Sequence, residues 1–243
     1  MKNLTLITCS YNTPKITETM IKSWVKHNGK GSEILVVENS TNEDTVKILD
    51  NNNINYIRNS GGTHSPSVDL ALEQCGTDYA LLVDTDIIHN EPFQPIYDLL
   101  TESETKLAGT MCGDRGGHRL HNRIHPWYMF IDVKSIKEHG IKFHDEKRII
   151  ATQSENFYGH NPLSPYNLNI IKYDVGSTFY EDINNNGLKI ADVPIIEKWY
   201  THYEGSSWHG TVDHKWLNNN HKQNMDVYYK QEVGKYSTID IVM

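Results

Sequence analysis

Four short apolar runs punctuate the first 86 residues, LTLITCS, EILVVENS, INYIRNS and YALLVDTD, and the stretches between them repeat at helical spacing. The runs are rich in valine, isoleucine and leucine and suit strands. After the first run, Thr13-Pro14 supplies a helix cap and a proline at the first helical position. Ile16, Met20, Ile21, Trp24 and Val25 then form one stripe, with Gly29 placed to close the helix. A second helix is expected around Val46, Ile48 and Leu49, and a third from Val68, Ala71, Leu72 and Cys75. Strands separated by helices predict a mostly parallel sheet joined by right-handed crossovers. In such sheets ligands gather beyond the carboxyl ends of the strands. The tripeptide ENS, the turn NSGG and the acidic DTD all fall at that rim.

The fourth run poses a problem, because it ends in two aspartates one residue apart. Continued as a strand, it would point Asp84 and Asp86 the same way, with Thr85 opposite. At about 5 Å and an effective dielectric of about 20, two carboxylates repel by about 3 kcal/mol. A hard divalent cation, Mn²⁺ or Mg²⁺, held with the oxygens of a diphosphate removes that repulsion and neutralises a leaving diphosphate.

Composition narrows the alternatives. A net charge of −8 with no basic run argues against a nucleic-acid-binding surface. Cys9, Cys75 and Cys112 are far apart and lack metal-ligand spacing, which suggests reduced thiols and a cytoplasmic protein. No apolar stretch is long enough for an integral membrane segment, and the N-terminus reads as a first strand, not a signal peptide. The oligomeric state leaves no trace in the sequence.

The second half is less regular. KLAGTMCG and WYMFIDV read as strands, SIKEHG as a short helix, and Glu146 to Tyr173 as long loop. A helix is expected from about Ser177, closing near Gly187, followed by a strand in KIADVPII and a loop in WYTHYEGSSWHG. The tail from Asp213 to Tyr236 reads as a polar helix or a flexible end. His118, His121 and His125 with Arg115, Arg119 and Arg123 form a basic loop that lacks HExxH or a cysteine partner, which disfavours zinc. Such a loop suits an anionic group, and Trp127 and Tyr128 beside it suit either stacking on a ligand face or ordinary core packing.

Several segments in order, LITCSYNTP, LVVENSTNED, YIRNSGGTHSPSVDLAL, YALLVDTD, FYEDINNNGLKIADVP and THYEGSS, resemble the nucleotide-sugar glycosyltransferases of the GT-A fold, specifically the family-two-like group. The resemblance runs to about Ser207. It implies an α/β, Rossmann-like GT-A fold with helices flanking a mostly parallel sheet in a single compact domain. Residues 1–105 would bind the nucleotide sugar, and residues 106–243 the acceptor. It implies transfer of a sugar from a nucleotide diphosphate donor, preferentially a UDP-sugar, to a hydroxyl acceptor on a small molecule or glycan, with inversion.

Carried over by position, the resemblance assigns the nucleotide to Ser10, Tyr11, Asn12, Glu38 and Asn39, with Glu38 where the family has Asp. Arg58, Gly61, Gly62, Asp84 and Thr85 would also face the donor, and Asp69 stands where the family often has a polar donor-facing residue. Asp84, Asp86 and His202 would hold the metal, with His209 a substitute for His202. Asp182 would be the catalytic base, with Glu181 assisting or exchanging roles and Asp174 a weaker third candidate. Two other classes remain open at this level. One is a nucleotidyltransferase making nucleotide sugars, disfavoured because CSYNTPK after the first strand contains no glycine. The other is an inactive module that binds a nucleotide sugar or glycan.

Overall fold

The computed structural model describes residues 1, 3–112, 122–152, 173–207 and 219–241. In the N-terminal array, β1 (Leu4–Ser10), α1 (Pro14–Asn28), β2 (Glu33–Glu38), α2 (Asp44–Asn51), β3 (Asn55–Arg58), α3 (His64–Gln74) and β4 (Tyr79–Val83) alternate as the periodicity predicts. There follow β5 (Ile87–His89), α4 (Gln94–Glu102), β6 (Leu107–Gly109), β7 (Met111–Cys112), β8 (Arg123–Ile124), β9 (Tyr128–Asp132), α5 (Val133–Glu138) and α6 (Glu146–Thr152). The chain closes with α7 (Ser177–Asn185), β10 (Ile190–Asp192), β11 (Tyr200–His202), α8 (Asn219–Tyr228), a π-helical turn (Tyr229–Val233) and α9 (Gly234–Tyr236).

One seven-stranded sheet runs in the order β10-β6-β9-β4-β1-β2-β3. It is parallel except for β9, which lies antiparallel to both β4 and β6. The sheet therefore draws strands from both sides of residue 105. Both faces are covered, which explains why its strands read as continuous apolar runs. Leu4, Leu6, Val36 and Leu81 pack with Met20, Trp24 and Leu49 on one face. Ile7, Val37 and Leu82 pack with Val68, Leu72, Ile136 and Phe179 on the other.

Several expectations need correction. The fourth strand stops at Val83, and Asp84-Thr85-Asp86 forms a turn in which the Ile87 amide donates to the Asp84 carbonyl. The two aspartates are thus brought together by a turn and not by strand alternation. KLAGTMCG splits at Thr110, β6 joining the large sheet and β7 pairing with β8. KIADVPII is strand only to Asp192, because Pro194 opens a 3₁₀ turn (Pro194–Lys198). The presumed long loop begins with helix α6, and the presumed loop at WYTH contains β11, which pairs antiparallel with β5. The tail is not a flexible end over its described part. Tyr228 and Tyr236 are buried with Ile16, Ile88 and Tyr203, and the Tyr228 hydroxyl donates to the Ile16 carbonyl at 3.1 Å.

Candidate active site

The rim above the sheet holds a cleft of about 610 Å³. Sheet order fixes its layout. Asn39 follows β2, Ser10 ends β1, Asp84 follows β4, and Trp127 precedes the antiparallel β9, so all four reach the same edge. Ser10, Tyr11, Asn39, Gly61, Gly62, Asp84 and Thr85, all expected at a donor site, line this cleft.

At its first end the three parallel strands are extended by loop hydrogen bonds. The Asn39 amide donates to the Ser10 carbonyl at 2.8 Å and the Gly61 amide to the Asn39 carbonyl at 2.9 Å. Asn39 Oδ1 accepts from Asn59 at 3.0 Å and from Ser67 at 2.9 Å. Gly61 adopts φ +77, and a Cβ on Gly62 would approach Asn39 Oδ1 to 2.6 Å, so both positions require glycine. Asn12, Glu38 and Arg58 are not among the lining residues. Asn12 has φ 52, and its amide donates to Ser40 Oγ at 2.6 Å, which makes it the pivot of the loop after β1. Glu38 is fully buried, with Oε1 accepting from the Ser40 amide at 2.6 Å and from Arg58 at 3.3 Å, while Oε2 has no hydrogen-bond partner. Arg58 Nη2 also donates to Glu43 and to the Asn42 carbonyl.

In the middle Asp84 lines the cleft while Asp86 and His202 do not, and one ligand atom from each of the three lies within 4.8 Å of the others. Pairing of β11 with β5 sets His202 opposite Ile87, which brings its ring beside Asp86. The turn is stitched down by the Asp84 amide to the Trp127 carbonyl, the Tyr203 amide to the Asp86 carbonyl, and the Ser207 amide to Asp86 Oδ2, at 3.1, 3.0 and 3.0 Å. Each carboxylate faces an imidazole: His64 Nε2 is 3.5 Å from Asp84 and His202 Nε2 is 3.4 Å from Asp86. Burial opposes the charge on Asp84, yet the hydrogen bond and charge of His64, with His202 behind, hold its pKa below the usual carboxylate value. Burial likewise disfavours a charged His202, but Asp86, Asp84 and Glu204 raise its pKa above the ordinary imidazole value. Asp86 Oδ1 is buried with the His202 ring as its neighbour and, among the described residues, accepts no bond of good hydrogen-bond geometry, which leaves it able to ligate a cation beside that imidazole. Two hard carboxylates with one imidazole fit Mn²⁺ or Mg²⁺.

The other end is built by the second half of the chain. Arg123, Pro126, Trp127, Asp174 and Val175 line it. Trp127 stacks on His125 at 3.8 Å between ring centroids and lies 4.9 Å from His202. Tyr128, by contrast, is 1% exposed and stacks on Tyr200 inside the core, so it offers no face to a sugar. Glu181 and Asp182 do not line the cleft; both converge on Arg148, which donates to Asp182 Oδ1 at 2.6 Å and to Glu181, while Tyr173 also donates to Glu181. Asp69 faces away, its carboxylate accepting from the Phe143 and His144 amides at 2.6 and 3.0 Å. His118, His121, Arg115, Arg119 and His209 lie outside the described residues.

Sequence reasoning overlooked His64. Its position as the first residue of a helix that follows a strand of this sheet was the available signal.

A family model described as glycosyl transferase family 2 matches residues 5–167. The chain belongs to that family. This glycosyltransferase also resembles solved structures at low identity, which shows a shared GT-A fold. Residues 1–349 of S. aureus TarS superpose with a TM-score of 0.54 at 15% identity, covering 98% of this chain and 75% of that one. The mannosyltransferase PcManGT from Pyrobaculum calidifontis, solved with GDP-Man and Mn²⁺, gives 0.54 at 9% identity, with 96% and 71% covered. GlyE of Streptococcus pneumoniae TIGR4, solved as the apo form, gives 0.52 at 12%, with 94% and 63% covered. The glycosyltransferase spans 30% of the length of a longer S. aureus TarS chain. No curated protein matches its sequence. Among its described residues no helix is long and apolar enough to cross a membrane.

Proposed function

We propose that this glycosyltransferase transfers one sugar from a UDP-sugar to a hydroxyl acceptor with inversion, using Mn²⁺ or Mg²⁺. The observation that carries the reading is the convergence of Asp84, which lines the cleft, with Asp86 and His202, which stand directly behind it. The Mn²⁺ and GDP-Man held by PcManGT support a nucleotide diphosphate donor and a divalent cation. Preference for uridine rests on the family resemblance.

Asp84, Asp86 and His202 would hold the cation, which when bound supplies positive charge to a departing diphosphate. Ser10, Tyr11 and Asn39 would receive the nucleoside, with Asn12, Glu38 and Arg58 shaping that pocket from beneath. The Gly61-Gly62 turn lets backbone come close to the donor. Asp182 would take the proton of the acceptor hydroxyl. Its Oδ1 is held by Arg148, and among the described residues its Oδ2 accepts no hydrogen bond, leaving one oxygen for the proton. Glu181, held by the same guanidinium and by Tyr173, would fix the pair's orientation.

The test is incubation with UDP-sugars and Mn²⁺ across an acceptor panel, following UDP release and the anomeric configuration of the product by NMR. UDP release with an inverted product is expected, and Asp182→Asn should lower kcat by at least about 100-fold. Pyrophosphate release from UTP, or binding without turnover on any acceptor, would refute the reading.

A further inference from the structure

Arg123 is the most unusual charged residue of the cleft. It lines the cavity yet is 2% exposed. One nitrogen, Nη2, donates to Asp174 Oδ2 at 2.7 Å, while Nε and Nη1 are buried and have no hydrogen-bond partner among the described residues. A guanidinium cannot shed its proton to escape this situation. Buried N–H groups left unpaired carry a desolvation penalty that a ligand oxygen would relieve. Asp174, its single ion-pair partner among the described residues, is itself 46% exposed at the side chain and so turns part of its carboxylate to the cavity. The pair thus presents unused donors beside an accessible acceptor.

Its position along the rim decides what it meets. Asn39, Ser10, Asp84 and Trp127 follow the sheet order β2, β1, β4, β9, and β8, which carries Arg123, packs its Ile124 against Gly109 of the next strand, β6. The aspartate turn therefore lies between the nucleoside end and Arg123. A donor laid along the cleft with its diphosphate at Asp84 puts its sugar against Arg123, Asp174 and Trp127.

We propose that Arg123 and Asp174 form a sugar-reading pair that selects a neutral sugar over an acidic one. Arg123 donates to a hydroxyl or carbonyl oxygen of the sugar, and Asp174 accepts from a neighbouring hydroxyl. Their charges cancel, so a neutral sugar leaves the pair balanced, whereas a uronate adds an uncompensated negative charge opposite Asp174. This rests on the proposed use of a UDP-sugar and adds the class of sugar and the residues that choose it.

The experiment is calorimetric titration, with Mn²⁺ present, of UDP, UDP-glucose, UDP-N-acetylglucosamine, UDP-galactose and UDP-glucuronate into the wild type, Arg123→Lys and Asp174→Asn. The wild type is expected to bind at least one neutral donor at least about tenfold more tightly than UDP-glucuronate. Arg123→Lys should weaken that neutral donor by about 10- to 100-fold while leaving UDP within about threefold. Asp174→Asn, which removes the negative partner and keeps a hydrogen-bonding side chain, should narrow or reverse the discrimination against UDP-glucuronate. Equal weakening of UDP and UDP-sugars in Arg123→Lys, or tight wild-type binding of UDP-glucuronate, would overturn the proposal. Failure of UDP itself to bind the wild type would instead overturn the donor reading on which it rests. Should Asp174→Asn not fold, the wild-type preference and the Arg123→Lys series still decide the matter.

Discussion

Replacing Asp86 by Asn tests the electrostatic account of the aspartate turn most directly. With ligand atoms within 4.8 Å, the Asp84–Asp86 repulsion is about 3 kcal/mol at an effective dielectric of about 20. The His202–Asp86 attraction at 3.4 Å is about 5 kcal/mol on the same basis while the imidazole is charged. Asn removes both, so more than half of the loss cancels and the metal-free variant should melt no more than about 8 °C below the wild type. The Ser207 amide can still donate to the Asn side-chain oxygen, which preserves the local fold. Added cation separates the two proteins. A ligand at 100 times its dissociation constant stabilises by about 2.7 kcal/mol. For a chain of 243 residues that corresponds to a rise in Tm of about 5–10 °C. Thermal scans with and without Mn²⁺ and UDP should show this rise in the wild type, and none in Asp86→Asn at the same concentrations. An equal rise in both proteins would refute the assignment of Asp86 as a ligand.

Other outcomes follow from single contacts. His89 is buried, and burial, with the charge of His27, pushes its pKa down from 6.5 to about 3. The unfolded chain therefore binds the extra proton first, and stability falls as pH drops below 6.5, by about 2 kcal/mol between pH 7.5 and pH 5. His89→Phe should flatten that part of the Tm-against-pH curve, and an unchanged slope would exclude His89 as its source. Gly62→Ala pushes a methyl into the Asn39–Asn59 contact and should cost about 2–3 kcal/mol in urea unfolding, with weaker UDP binding. Arg148→Met strips the shared cation that orients Glu181 and Asp182, and kcat should fall by about tenfold or more in the UDP-release assay. An unchanged kcat would mean that this arginine positions no group used in the reaction.

Local patterns made the N-terminal array readable. Thr13-Pro14 marks where α1 begins, although the Thr13 side chain forms no capping bond, and the apolar stripes of α1 and α3 face the sheet as their spacing requires. The aspartate turn was legible as a site but not as a shape, because alternation assumes a strand where the chain bends. What escaped depends on partners remote in sequence. β11 has too few apolar residues to announce a strand and exists because β5 supplies the pairing. Arg123 and Asp174 are separated by 51 positions, and no spacing rule joins them. The tail reads as polar because its few buried residues, Tyr228 and Tyr236 among them, are too sparse to set a period.

That tail bears on how the third ligand of the proposed cation site is held in place. β11 delivers His202, and the next residue, Tyr203, donates to Glu232 at 2.7 Å and packs edge-on against Tyr228. Tyr228 in turn reaches back to Ile16 near the start of the chain. A chain that has formed the aspartate turn still lacks the brace for the third ligand until α8 and the π-helical turn dock against Tyr203 and Ile16.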